Sequence, residues 1–304
     1  MNERSHHHHD TSQQSDARLL WAVGVNVLLT VAQVVGGVLS GSLALVADAL
    51  HNLNDAASLG LALAARRISR KPADRKRTFG YRKAELIGAL INLTTLIIVG
   101  LYLVYEAVWR FFDPQPILGW IVIILAGIAL VVDVITALLT FAMSKGNLNI
   151  KAAFVHNLSD AFASVAVIVA GTLILLYEWY WADWVATLII SAYILWHGVV
   201  MMRSTIRILM DSVPEDIDLD ELVAAMEAVE HVEQVHHVHV WQLDEHHRAL
   251  EAHVVLDTKN VDQLETIKDA LKASLQTRYD IGHSTLEFET HAAHRHDRQV
   301  VSPH

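Results

Sequence analysis

The chain of 304 residues is 53% hydrophobic and only 18% charged, a balance that excludes a wholly soluble protein. It contains no cysteine but 19 histidines, so disulfides, thiolate metal sites, iron–sulfur clusters and cysteine nucleophiles are excluded, and a metal must be held by imidazole and carboxylate. The net charge of −10 argues against nucleic acid as a partner and is unevenly spread: after residue 210 there are 7 Lys and Arg against 20 Asp and Glu, and before it 16 against 13.

In chain order, residues 1–17 are a polar tail carrying His6, His7, His8 and His9. Apolar stretches follow at 19–39, 43–65, 84–108, 117–143, 150–177 and 181–202, each of the ~20 residues that a helix needs to cross about 30 Å of hydrocarbon. They predict a membrane α-helical bundle of six transmembrane helices over residues 18–210. The second stretch is interrupted by Asp48, His51, Asn52, Asn54 and Asp55, and the fifth by His156, Asn157, Ser159 and Asp160, so these two helices cannot simply face lipid. Between the second and third stretches stand Arg66, Arg67, Arg70, Lys71, Arg75, Lys76, Arg77, Arg82 and Lys83, whereas the turn at 40–42 has no cation and the turn at 177–184 carries Glu178 and Asp183. By the positive-inside rule the basic loop is cytoplasmic, and an even number of spans puts both termini on the same side. Trp179, Tyr180, Trp181 and Trp184 suit the opposite interface, where amphipathic rings collect.

The pattern changes after Asp211. Residues 218–230 read as a helix with Leu219, Leu222, Val223, Met226 and Val229 on one face. Alternating runs at 235–243 and 249–257 predict two strands, 261–279 a second helix, and 283–289 a third strand. Helix–strand–strand–helix–strand suits a two-layer α+β sandwich over residues 211–290. Residues 291–304 form a His-rich C-terminal tail with His291, His294 and His296. Both tails read as weak metal collectors.

The most informative feature is an internal repeat, His-Asn-Leu-Asn-Asp-Ala at 51–56 and His-Asn-Leu-Ser-Asp-Ala at 156–161, each inside an apolar stretch. Each copy sets a histidine and an aspartate at i and i+4, neighbours on one helical face about 6 Å apart in rise. Two such faces brought together supply two imidazoles and two carboxylates, a four-ligand set that suits tetrahedral Zn2+. The other reading of each pair is an interhelical hydrogen bond, but a duplicated pair at one spacing favours ligation. Asp48, nearly two turns before Asp55 on roughly the same face, has two readings: a proton relay or entry ligand beside the site, or a hydrogen bond to a neighbouring helix. Asp133 and His197 lack a matched partner and read as structural, while Asn26, Gln33 and Asn92 read as interhelical hydrogen-bonding groups.

The spans, the two His-x-x-x-Asp motifs, the basic loop and the α+β tail together resemble the cation diffusion facilitator family of metal transporters, over roughly residues 19–289. Further segments carry the resemblance: Ser42-Leu43-Ala44-Leu45-Val46-Ala47-Asp48-Ala49, Thr78-Phe79-Gly80-Tyr81-Arg82, Asn147-Leu148-Asn149-Ile150-Lys151 and His237-Val238-His239-Val240-Trp241. The pattern is most similar to the bacterial branch that exports zinc, cadmium and cobalt. The resemblance implies a homodimer with a cytoplasmic ferredoxin-like domain, a bacterial inner membrane as host, and metal export in exchange for protons. It assigns His51, Asp55, His156 and Asp160 as the transport site. Two His with two Asp favour zinc, because relatives with Asp in place of the first His are less strict between Zn2+ and Cd2+. Some relatives also bind metal in the loop after the second span through His and Asp, but residues 74–83 here contain no histidine. In the tail, His239 and His253 match positions that ligate metal in some relatives, and Glu287 and Glu289 stand where those have His-x-Asp. The alternative there is a solvated acidic face. Of His236 and His237, adjacent on a strand, at most one joins the set.

Metal binding needs neutral imidazole and ionised carboxylate, so loading Zn2+ expels whatever protons the empty site holds. That competition is a mechanism for exchange. Two other classes of function use the same ligands. A membrane zinc hydrolase would keep three protein ligands and an open water position, and no His-Glu-x-x-His occurs; a membrane metal sensor would bind without flux. Within the transporter reading, His and carboxylate also accept Cd2+, Co2+, Ni2+, Fe2+ and Mn2+.

Overall fold

A computed structural model describes residues 27–143, 148–257 and 263–290, together with Val300. Residues 1–17, 19–26 and the His-rich C-terminal cluster lie outside the described residues. By packing, the chain divides into one unit of residues 1–61 with 91–201 and a second of residues 62–90 with 202–304.

The apolar stretches form helices because a backbone in hydrocarbon must satisfy its own polar groups. These are α1 (Val27–Ser40), α2 (Leu43–Ser69), α3 (Ala84–Phe112), α4 (Gly119–Met143), α5 (Leu148–Tyr177) and α6 (Trp181–Leu209). Among the described residues, four are both long and apolar enough to cross a membrane: Ala84–Phe112, Gly119–Leu139, Phe154–Tyr177 and Trp181–Leu209. The described part of the first expected span is a shorter apolar helix, and α2, 27 residues long, is diluted by its polar residues. Helix ends follow local chemistry. Pro114 and Pro116 separate α3 from α4. The tight turn between α1 and α2 rests on Gly41, whose φ is +75°, and a Cβ there would meet the Pro116 carbonyl oxygen at 2.9 Å.

The core of the first unit joins Leu43, Ala44, Leu45 and Ala47 of α2 to Leu96, Leu103 and Ala107 of α3, Val122 and Ala126 of α4, Val167, Ala170 and Ile174 of α5, and Ala182, Ala186, Ile190 and Ile194 of α6. All of it lies between the middle of the bundle and the end where α2, α4 and α6 begin and α3 and α5 finish. Small residues let the backbones approach: a Cβ on Gly119 would stand 2.7 Å from the Gly171 carbonyl oxygen. Large apolar side chains such as Leu101, Tyr105, Leu138, Leu176 and Trp196 remain exposed, as lipid-facing positions require.

In the second unit the chain builds α7 (Leu219–Glu227), β1 (Val232–Gln242), β2 (Arg248–Leu256), α8 (Leu264–Tyr279) and β3 (Ile281–Thr290), the expected order of elements. Asp218 caps α7 by accepting from the Asp220 and Glu221 amides. The helix is shorter than the apolar period suggests, and β1 begins three residues earlier than expected. A left-handed residue, His231 (φ 71°), turns the chain, and the Glu227 carboxylate accepts from the Val235 amide at 3.0 Å. The sheet order is β1-β2-β3, with β1 and β2 antiparallel and β2 and β3 parallel through the α8 crossover. Leu222, Met226, Leu271 and Leu275 of the helices pack on Val235, Val238, Val240, Leu250 and Val254 of the sheet. The basic loop is folded by Asp74, which accepts from the Lys76 and Arg77 amides at 2.7 and 2.8 Å and from the Tyr81 hydroxyl at 2.7 Å. The Tyr81 hydroxyl, foremost, and those amides hold the Asp74 carboxyl below its ordinary range.

A candidate metal site between two helices

The repeated His-x-x-x-Asp motifs lie on α2 and α5, each at the inner edge of the packed core: His51 follows Ala47 by one turn, and Asp160 precedes Val167 by two. The helical spacing sets each histidine beside its own aspartate, and the approach of α2 to α5 sets it beside the other one. His51 Nε2 stands 3.7 Å from Asp55 Oδ2 and 3.3 Å from Asp160 Oδ1. His156 Nε2 stands 3.2 Å from Asp55 Oδ2 and 3.5 Å from Asp160 Oδ2. With zinc bonds of about 2.0–2.1 Å, neighbouring ligand atoms of a tetrahedron are about 3.3 Å apart. The two contacts between the helices, 3.3 and 3.2 Å, are close to such an edge. His51, Asp55 and Asp160 offer ligand atoms within 4.8 Å of one another, while His156 meets Asp160 through Oδ2 rather than the Oδ1 that faces His51, and the two rings are set edge to face at 6.1 Å. His51 and Asp160 are buried, whereas the side chains of His156 and Asp55 are 44% and 32% exposed, which gives the site an open flank.

Asp48 does not join this set. It is 1% exposed and accepts from Gln33 Nε2 of α1 at 2.8 Å, while Asn52 donates to Gln33 Oε1 at 3.4 Å. Gln33 is thus an interhelical hydrogen-bonding group. Asp133 accepts from Ser164 of α5 at 3.1 Å, and the His197 ring stacks on Tyr193. Asn26 lies outside the described residues.

A second cluster sits on the sheet of the α+β domain. His253 on β2 pairs in register with Glu287 on β3; its Nε2 is 3.4 Å from Glu287 and its Nδ1 2.8 Å from Glu289. His236 on β1 stands opposite His253, with its Nε2 3.9 Å from Glu289. Among the described residues, His236, His253 and Glu289 offer ligand atoms within 4.8 Å of one another. Strand parity alone does not place His236 with His239, because the register slips between them and His237 takes a left-handed φ of 50°. That bulge resets the alternation, so His236 and His239 share a face with their partners His253 and Glu251. His239 lies along this face, its ring 4.9 Å from that of His237, which is itself 4.8 Å from His253.

Sequence reasoning missed a further polar centre in the helical unit. Asp183 reads as an acid in the turn before α6, yet it is 1% exposed and accepts from Ser42 Oγ at 2.5 Å, the Leu43 amide at 2.8 Å and the Ala44 amide at 3.3 Å. The available signal was an aspartate inside the first turn of an apolar helix rather than ahead of it.

Comparison with known proteins places these features in context. Residues 19–210 match the cation efflux transmembrane domain, and residues 214–291 match the cation efflux protein cytoplasmic domain. The chain is 33% identical over 298 residues to the cadmium, cobalt and zinc/H(+)-K(+) antiporter of Bacillus subtilis, covering 97% of this chain and 95% of that one. It is 33% identical over 299 residues to the zinc transporter ZitB of Escherichia coli, covering 96% and 94%. A solved structure, the metal-bound C-terminal domain of the CzcD transporter from Cuprividus metallidurans, is 34% identical and covers 24% of this chain and 99% of that one, with a TM-score of 0.23.

Proposed function

This chain belongs to the cation efflux, or cation diffusion facilitator, family, and on that premise we propose that it exports Zn2+ from the cytoplasm in exchange for protons through His51, Asp55, His156 and Asp160. It is a multi-pass membrane transporter and not an enzyme. The observation that carries the zinc reading is the convergence of two imidazoles and two carboxylates from α2 and α5, with imidazole–carboxylate separations of 3.2–3.7 Å, a donor set that suits zinc. Cd2+ and Co2+ are secondary substrates, since the same donors accept them. In the full architecture, α1 and α2 complete a six-span bundle over residues 18–210 with both termini cytoplasmic. Residues 211–290 form a ferredoxin-like domain that pairs two copies, and the host is a bacterial inner membrane.

The exchange follows from ligand chemistry. Zinc requires both imidazoles neutral and both carboxylates ionised, so a site facing the cytoplasm gives up protons as it takes the ion. Facing outward, it is loaded with protons that displace the ion, and it returns protonated. Asp48, one turn before His51, is a proton relay beside this site, hydrogen-bonded through Gln33 to Asn52. A hydrolase would leave one position for water, whereas four protein ligands close this one; a sensor would bind zinc without moving it. Inside-out vesicles decide between these readings. Zinc uptake is expected when the lumen is acidic and is expected to collapse when a protonophore dissipates the gradient. Zinc binding with no gradient-driven uptake would overturn the transporter reading for this chain.

The sheet cluster is the place for a second, regulatory zinc, held by His236, His253 and Glu289 with His239 and Glu287 at its margin. Glu289 reaches both histidines and is 19% exposed, against 68% for Glu287. In purified full-length protein carrying Asp55→Ala, Glu289→Gln is expected to weaken zinc binding about tenfold, and Glu287→Gln much less. Calorimetry showing the reverse order would reject this ligand set.

A further inference from the structure

The helical unit is closed on one side of its site. α6 leads at its C-terminal end into the cytoplasmic domain, so its first turn is at the external end of the bundle, together with the first turns of α2 and α4. The packed core, from Leu43–Ala47 across to Ile190 and Ile194, lies between that end and the site. On the cytoplasmic side of the core, His156 and Asp55 keep exposed side chains. The accessible flank of the site therefore lies away from the packed external end.

Asp183 holds the external end of α2 shut. Helix α2 begins buried, with Leu43 4% and Ala44 0% exposed, and the first amides of a helix have no partner within it. Asp183 accepts from both of these amides and from the Ser42 hydroxyl, and Ser42 Oγ accepts in turn from the Leu45 amide at 3.1 Å. The carboxylate sits at the positive end of the α2 dipole, faced by Arg110 of α3, whose Nη1 is 3.8 Å away. Arg110 also donates to the Gly41 carbonyl and lies 3.7 Å from Glu106. The Leu118 amide, just ahead of α4, donates to Ser40 at 2.9 Å. Segments from α3, α4 and α6 thus converge on the turn that starts α2, and α2 carries His51 and Asp55 two to three turns further on.

We infer that Asp183 is a positioning residue of the transport cycle: its clamp on the first turn of α2 keeps the external path closed while the site is open to the cytoplasm, and outward opening requires its release. The inference rests on the exchange mechanism above. Two physical features favour a releasable clamp over a permanent staple. Its bonds are polar and at the external end, so water can replace them once the end opens, which it cannot do for apolar packing. The surfaces that would have to slide carry alanines, namely Ala44, Ala47, Ala126, Ala170, Ala182 and Ala186, between the larger Leu, Val and Ile of the core, which leaves fewer long side chains to interlock.

The absence of native cysteine makes the test direct. Ala47→Cys places a lone thiol at a position 0% exposed, one turn outside His51. Without zinc, a membrane-impermeant maleimide added from the external face is expected to label it slowly, and Asp183→Asn to raise the rate at least tenfold. Asparagine has one acceptor oxygen and no charge for Arg110. In otherwise native protein, Asp183→Asn is expected to cut maximal zinc flux at least tenfold with the half-saturating zinc concentration unchanged. Ser42→Ala, which removes one donor to Asp183 and the acceptor of the Leu45 amide, changes both readouts in the same direction by about threefold and decides the matter if Asp183→Asn does not fold. Unchanged labelling in these variants, or a loss confined to zinc affinity, would overturn the clamp. Labelling needs no metal: undiminished flux in Asp55→Ala would sink the zinc site alone, and unchanged labelling beside a dead Asp55→Ala would sink the clamp alone.

Discussion

Zinc flux in Asp55→Ala and in His156→Ala is expected to fall at least about 100-fold. Asp55 Oδ2 lies 3.7 Å from one imidazole and 3.2 Å from the other, so the carboxylate is shared by both halves of the site. Alanine leaves three ligands and removes one of the two negative charges that neutralise the dication. Even partners outside the ligand sphere cost about 10–100-fold in metal affinity when removed, and a direct ligand exceeds that. His156→Ala keeps both charges but opens a quarter of the tetrahedron, which water fills, so zinc rests in a site that no longer excludes protons cleanly. Initial rates into inside-out vesicles under an imposed pH gradient measure the loss. Either variant retaining its full rate would refute the assignment of these residues.

His51→Asp is expected to lower the preference for zinc over cadmium about tenfold while transport continues. His51 and Asp160 are the enclosed pair of the four, with 8% of the His51 side chain exposed, and its single Nε2 donor points at both carboxylates. An imidazole offers one donor atom in a fixed plane and so supports four-coordination at short bonds. A carboxylate can bind through one or both oxygens, which accommodates a larger ion with more, longer bonds. Shortening the side chain also widens the cavity beside Asp160. The readout is the ratio of initial rates for the two metals in the same vesicles, and a ratio equal to that of the native chain would count against ligand geometry as the source of selectivity.

How much of this was legible beforehand differs between the two units. In the α+β domain the alternating and helical patterns are local, so the order of elements was readable, and the parity of β3 puts Glu287 and Glu289 on one side without any tertiary knowledge. The bulge at His237 was not readable, because a left-handed residue in the middle of a Val and His run follows from pairing with β2 rather than from its own preference. It is this bulge that brings His236 opposite His253.

The helical unit divides in the same way. Hydropathy and the His-x-x-x-Asp repeat are properties of single segments, and they were enough to mark the long apolar helices and to single out the faces of α2 and α5 that meet. Sequence could not say that α2 and α5 approach closely enough for two crossed separations of 3.3 and 3.2 Å, since that distance is set by the packing of a bundle whose helices are far apart in the chain. Nor could it distinguish Asp183 from an acid in a solvated turn. Whether a carboxylate meets water or the buried amides of another helix depends on what packs over it, and only the assembled bundle decides that.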